Sequence, residues 1–120
     1  MKIIRYGKLV RDNIPSIIEK EGKRAKVRFL EKSERGQALK NKLLEEAQEL
    51  FDANTMDEIG KESADILEVI LAIIEANGLR LDEVEAIRKK RSDVRGSFKS
   101  WVFLEEVYEE DESSSEKHPE

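Results

Sequence analysis

Apolar residues recur every three or four positions from Leu39 to Phe51, and again from Ile59 to Ile74. That is the spacing of one helix face. In the first of these helices Leu39, Leu43, Ala47 and Leu50 form the stripe, widened by Leu44 and Phe51. Ser33 is placed to cap it, and it runs to about Ala53. Asn54-Thr55 breaks the pattern. Thr55 and Glu58 then have the spacing of a capping box, which opens a second long helix. Asn77-Gly78 is a strong stop for it. Two amphipathic helices with so short a break predict an antiparallel hairpin.

Shorter elements flank the hairpin. Ile14-Pro15 opens a short helix, with Ile17 and Ile18 toward the core and Gly22 at its end. Asp82 with Glu85 repeats the start signal. The basic helix that follows carries Val84 and Ile87 and ends near Gly96. Residues 25–30 (AKVRFL) alternate apolar with basic side chains and read as a half-buried strand. Residues 100–108 (SWVFLEEVY) read as a second strand able to pair with the first. The expected fold is mainly α, a helical hairpin or bundle with a small β element. The domain spans residues 1–108. Residues 109–120 (EEDESSSEKHPE) lack large apolar side chains and are expected to be a disordered acidic tail.

Composition narrows the function classes. Of 120 residues, 41% are charged and 38% hydrophobic, which allows a modest core and long solvated helices. The net charge of −5 argues against general nucleic-acid binding. The absence of cysteine removes disulfides, thiolate nucleophiles and cysteine-based zinc sites. The longest apolar run, around Ile66 to Ile74, contains Glu68 and falls short of the ~20 residues needed to span a bilayer. The N-terminus has no apolar region long enough for a signal peptide. No membrane partner is expected, and the expected location is the cytoplasm. There is no P-loop and no glycine-rich dinucleotide fingerprint. His118, the single histidine, lies in the tail, away from any expected chemistry.

The acidic residues change the picture most. At about 100° per residue, Glu62 projects about 40° from Ile66, inside the apolar sector, and Asp65 about 100°, at its edge. Glu68 and Glu75 project to the opposite, solvated side. On the preceding helix Glu46 projects close to the Leu39–Leu50 edge of the stripe, with Glu49 one position further round, while Glu45 and Gln48 point away. Each pair, Glu46/Glu49 and Glu62/Asp65, is spaced i, i+3, so its side chains are neighbours. An antiparallel hairpin lets the two pairs converge. Such pairs are common in an acid-rich chain, Glu49/Asp52 and Asp65/Glu68 among them, and by spacing alone read as a solvated face. Placement against the apolar stripes distinguishes these four. Carboxylates meeting in a partly apolar cleft are neutralised by protons or by a cation. An all-oxygen donor set favours Mg²⁺ or Mn²⁺ over zinc.

These residues carry a resemblance. EEAQE (Glu45–Glu49) followed by ESADIL (Glu62–Leu67) resembles the E-E-x-x-E and E-x-x-D motifs of the MazG-like all-α nucleoside triphosphate pyrophosphohydrolases. KLVRDNIPSIIEKEG near the start and RKKRSDVRGSFKSWVFLEEV near the end resemble a small single-domain branch, phosphoribosyl-ATP pyrophosphohydrolase-like. The chain departs from that branch at Asn13, where Lys is expected, and at Gly7, where Asn is usual. The resemblance implies hydrolysis between the α- and β-phosphates, giving a nucleoside monophosphate and pyrophosphate. It implies that Glu46, Glu49, Glu62 and Asp65 bind Mg²⁺, and that a nearby carboxylate, Glu45 or Glu49, orients or deprotonates water. It also places Lys8 and Arg11 in the substrate site.

Arg88, Arg91 and Arg95 recur at roughly helical spacing. Arg91 and Arg95 are candidates for the β/γ-phosphates, since arginine recognises phosphate bidentately. Cations near a helix C-terminus are also favourable without a ligand. Trp101 reads as core or subunit interface. The second long helix is apolar over a wider arc than one partner helix covers. A homodimer or homotetramer is expected, with sites completed by a second subunit. The leading expectation is a house-cleaning nucleotide pyrophosphohydrolase. Phosphoribosyl-ATP hydrolysis in histidine synthesis, or a non-catalytic helical interaction protein, are the alternatives.

Overall fold

The computed structural model describes residues 1–111. Four helices occur among them: α1 (Ile14–Lys20), α2 (Lys32–Asp52), α3 (Met56–Ala76) and α4 (Leu81–Arg95). The chain divides into two units, Met1–Leu79 and Arg80–Glu120. The first is built around α2 packed on α3.

The boundaries of the hairpin have local causes. Thr55 Oγ1 accepts from the Glu58 N–H at 3.1 Å, and Glu58 Oε1 accepts from the Thr55 N–H at 3.2 Å. The expected capping box is therefore formed, and it satisfies two donors that a helix start leaves open. At the far end the Leu79 N–H reaches the Ile74 carbonyl and the Gly78 N–H reaches that of Glu75, both at 3.0 Å. This closure needs a left-handed residue, and Gly78 supplies it at φ +72°. Gly22 closes α1 in the same way at φ +84°.

Two other starts differ from expectation. α2 is preceded by Glu31, not capped by Ser33, because Glu34 accepts from the Glu31 N–H at 2.9 Å. α4 is preceded by Arg80, whose N–H donates to Glu83 Oε1 at 3.0 Å. The sequence holds acids at adjacent offsets, so Asp82 with Glu85 imitates the spacing that Arg80 with Glu83 fulfils.

The β element is not formed: no strand occurs among the described residues. A strand is stable only in a ladder, and neither 25–30 nor 100–108 has a partner edge. Arg28 turns instead to Glu34, with contacts of 3.1 and 2.9 Å. In the second unit Trp101, Val102 and Phe103 are exposed, so Trp101 is not a core residue of this chain. From Glu112 onward the acidic tail, His118 included, lies outside the described residues.

The core is thin. Among the described residues Val69 and Ile74 on α3 are the buried apolar side chains, with Ile66, Ile70, Ile73, Leu39, Leu43 and Leu50 half-buried. Leu44, Phe51 and Ile17, expected to face inward, are exposed. Met56, Leu67 and Leu71 on α3 are 91%, 60% and 40% exposed. The apolar arc of α3 is thus wider than α2 covers. No helix is long and apolar enough to cross a membrane.

Candidate metal centre

α2 brings Glu46 and Glu49 to one side of the hairpin, and α3 brings Glu62 and Asp65 to the facing side. One ligand oxygen from each lies within 4.8 Å of the other three. These are the four carboxylates that the helical projection singled out. Helical rotation explains each pair: three residues advance 300°, so both members return to nearly the same face. The hairpin explains why the pairs meet.

Burial varies across the cluster. Glu46 is buried at 7% exposure, Glu62 and Asp65 are half-buried, and Glu49 is exposed. Glu46 Oε2 and Glu62 Oε2 are shielded from solvent and have no hydrogen-bond partner. Burying an unsatisfied acceptor costs about 1–3 kcal/mol, more if it is charged. The Glu46 pKa is raised, by burial first and then by the neighbouring Glu49 carboxylate, with Asp65 adding to it. Lys42 opposes the rise, its Nζ lying 3.5 Å from Glu46 Oε1. Two shielded, unpartnered oxygens in an all-oxygen set suit a hard divalent cation.

Cations ring the cluster. Arg11 Nη2 donates to Asp65 Oδ1 at 2.7 Å. Lys8 Nζ donates to Glu45 Oε1 at 2.8 Å, and Lys42 Nζ to the same oxygen at 3.3 Å. Glu45 contributes no atom to the cluster of four, and its pKa is lowered, by the Lys8 hydrogen bond above all. The N-terminal segment therefore carries Lys8 and Arg11 to the hairpin. Arg91 and Arg95 belong to α4, in the other unit. Lys42 is the residue that sequence reasoning passed over. Its signal was present: it stands three and four positions before Glu45 and Glu46, within reach along one helix.

Residues 13–92 match the family model described as phosphoribosyl-ATP pyrophosphohydrolase. The match takes in α1, α2, α3 and most of α4, with all four carboxylates. Lys8, Arg11 and Arg95 fall outside it, and Arg91 inside. No curated protein and no solved structure matches the chain. The family is one of divalent-metal-dependent pyrophosphohydrolases, and the carboxylate cluster gives this chain a place that could hold such a metal. With its mainly α fold, its two acidic motifs and a match over most of its length, the chain belongs to the phosphoribosyl-ATP pyrophosphohydrolase family, within the MazG-like all-α nucleoside triphosphate pyrophosphohydrolase superfamily.

Proposed function

We propose that this protein is a Mg²⁺-dependent nucleotide pyrophosphohydrolase. It cleaves nucleoside triphosphates or related nucleotides between the α- and β-phosphates, giving a nucleoside monophosphate and pyrophosphate. The observation that carries this reading is the four-carboxylate cluster with two shielded, unpartnered oxygens. Glu46, Glu49, Glu62 and Asp65 would hold the ion, Mg²⁺ or, in its place, Mn²⁺. When bound, it supplies Lewis-acid polarisation of phosphate oxygens and acidifies water.

The remaining steps belong to the side chains of the chain. Glu49 is the exposed member of the four and is open to solvent. Either it or Glu45 orients or deprotonates the attacking water. Lys8 and Arg11 would neutralise charge on the departing pyrophosphate. Arg91 and Arg95, in the second unit, are phosphate-binding candidates by their helical spacing alone. A house-cleaning role, removing non-standard or excess nucleotides, fits this chemistry. The description of the matched family favours a second reading, in which phosphoribosyl-ATP is the substrate.

The exposed apolar arc of α3 supports assembly as a homodimer or homotetramer, with a second copy covering Met56, Leu67 and Leu71. The location read from the sequence is the cytoplasm. Sedimentation equilibrium reads the assembly directly. The enzyme reading itself is tested by a calorimetric Mg²⁺ titration. Wild type should bind, and Glu62→Ala should not. No uptake by the wild type, or equal uptake by both, would favour a non-catalytic helical protein and overturn the proposal.

A further inference from the structure

Glu45 Oε1 accepts from two ammonium groups, Lys8 Nζ at 2.8 Å and Lys42 Nζ at 3.3 Å. Lys42 is anchored on α2 with its side chain only 14% exposed. Lys8 sits 37 positions before Glu45, on a segment without regular secondary structure. A lysine there has a flexible four-carbon stem, and its charge is not localised unless a partner holds it. Its pKa is raised, by the hydrogen bond to Glu45 first, with Glu49 and Glu46 also acting on it. The Lys8 ammonium therefore lies within electrostatic reach of the carboxylate cluster.

We propose that Glu45 is a positioning residue and not the base: with Lys42 behind it, it fixes Lys8 Nζ at the rim of the cluster to meet an oxygen of the departing pyrophosphate. This rests on the hydrolase reading above and separates the two carboxylates that reading leaves open. A base must stand within hydrogen-bond reach of the water whose proton it takes. Glu45 instead turns its Oε1 to the two lysine ammonium groups. It also gives no atom to the cluster around which the water would be activated. Glu49 does give one, and the two lysine hydrogen bonds go to Glu45 instead, so the base role passes to Glu49.

The test is pyrophosphate binding by calorimetry in Mg²⁺, beside steady-state kinetics across pH. Lys8→Ala and Glu45→Gln should each weaken pyrophosphate about tenfold, and the double variant no more than Lys8→Ala alone. Lys42→Met should resemble Glu45→Gln, and Lys42→Arg should restore affinity. Glu45→Gln should raise KM more than it lowers kcat and should keep the acidic limb of the kcat profile. A kcat loss of about a hundredfold or more, with the acidic limb gone and pyrophosphate affinity intact, would make Glu45 the base. Additive losses in the double variant, or no pyrophosphate binding by the wild type, also overturn the proposal. If the wild type binds pyrophosphate but hydrolyses no nucleotide, the hydrolase reading fails, while the binding cycle still decides the coupling of Glu45 to Lys8.

Discussion

Glu46 on α2 and Glu62 on α3 each keep one carboxylate oxygen, Oε2, out of solvent and without a hydrogen-bond partner, within the same cluster of four. Folding alone disfavours that arrangement, because shielded, unsatisfied acceptors on packed helices subtract from stability. A cation turns the same oxygens into ligands. The metal-free protein thus carries a strain at Glu46 and Glu62 that an ion would relieve.

Neutralising Glu46 should stabilise the metal-free protein. Glu46→Gln keeps the side-chain shape and removes repulsion with Glu49 and Asp65. Scanning calorimetry in chelator should give it a higher Tm than wild type. Mg²⁺ at a hundred times its Kd should stabilise wild type by about 2.7 kcal/mol. It should leave Glu46→Gln nearly unchanged. A wild-type Tm indifferent to Mg²⁺ would contradict the metal assignment.

Acidification should act in two opposed steps. The Glu46 pKa is raised above the ordinary 4.5, so its ionisation costs stability at higher pH. That cost disappears as pH falls through the raised value toward 4.5. Glu34 behaves oppositely: Arg28, and then the Glu31 N–H, lower its pKa to about 2. Its contribution is present above 4.5 and is lost as pH falls toward about 2. Urea titrations in chelator should show stability rising from neutral pH toward 4.5 and falling below it. Glu46→Gln should lack the rise and retain the fall.

Arg11→Ala should separate binding from folding. The Arg11–Asp65 pair is exposed, with side chains 56% and 39% accessible, and such pairs contribute about 0–1 kcal/mol. Urea unfolding should therefore change little. KM for the nucleotide should rise, and Arg11→Lys should restore it only partly, because lysine lacks the planar fork. An unchanged KM would remove Arg11 from the substrate site.

Thr55→Ala should lower stability by about 1 kcal/mol through the lost cap at the start of α3, about two turns before Glu62 and about three before Asp65. Thr55→Ser should retain most of it. Thermal unfolding followed by circular dichroism measures both.

The hairpin and the cluster were legible in the sequence because both depend on local rules. Helical rotation puts Glu46 with Glu49 and Glu62 with Asp65, and one capping box with one short break turns the two helices toward each other. The pairs Lys8–Glu45 and Arg11–Asp65 span 37 and 54 positions, and no periodicity reports such contacts. Residues 25–30 illustrate the converse. Alternation marks a segment suited to a strand, but only a partner edge makes one, and Arg28 pairs with Glu34 instead. The starts of α2 and α4 shifted because several acids stand at nearly equivalent offsets. Only folding decides which one meets the open N–H.

The most direct measurement is phosphorus NMR of the products formed from standard and modified nucleoside triphosphates and phosphoribosyl-ATP in Mg²⁺. At least one of them should give a monophosphate and pyrophosphate in equal amounts, and Asp65→Asn should give neither product. Orthophosphate with a nucleoside diphosphate, or undiminished turnover by Asp65→Asn, would contradict α–β cleavage at a carboxylate-held metal.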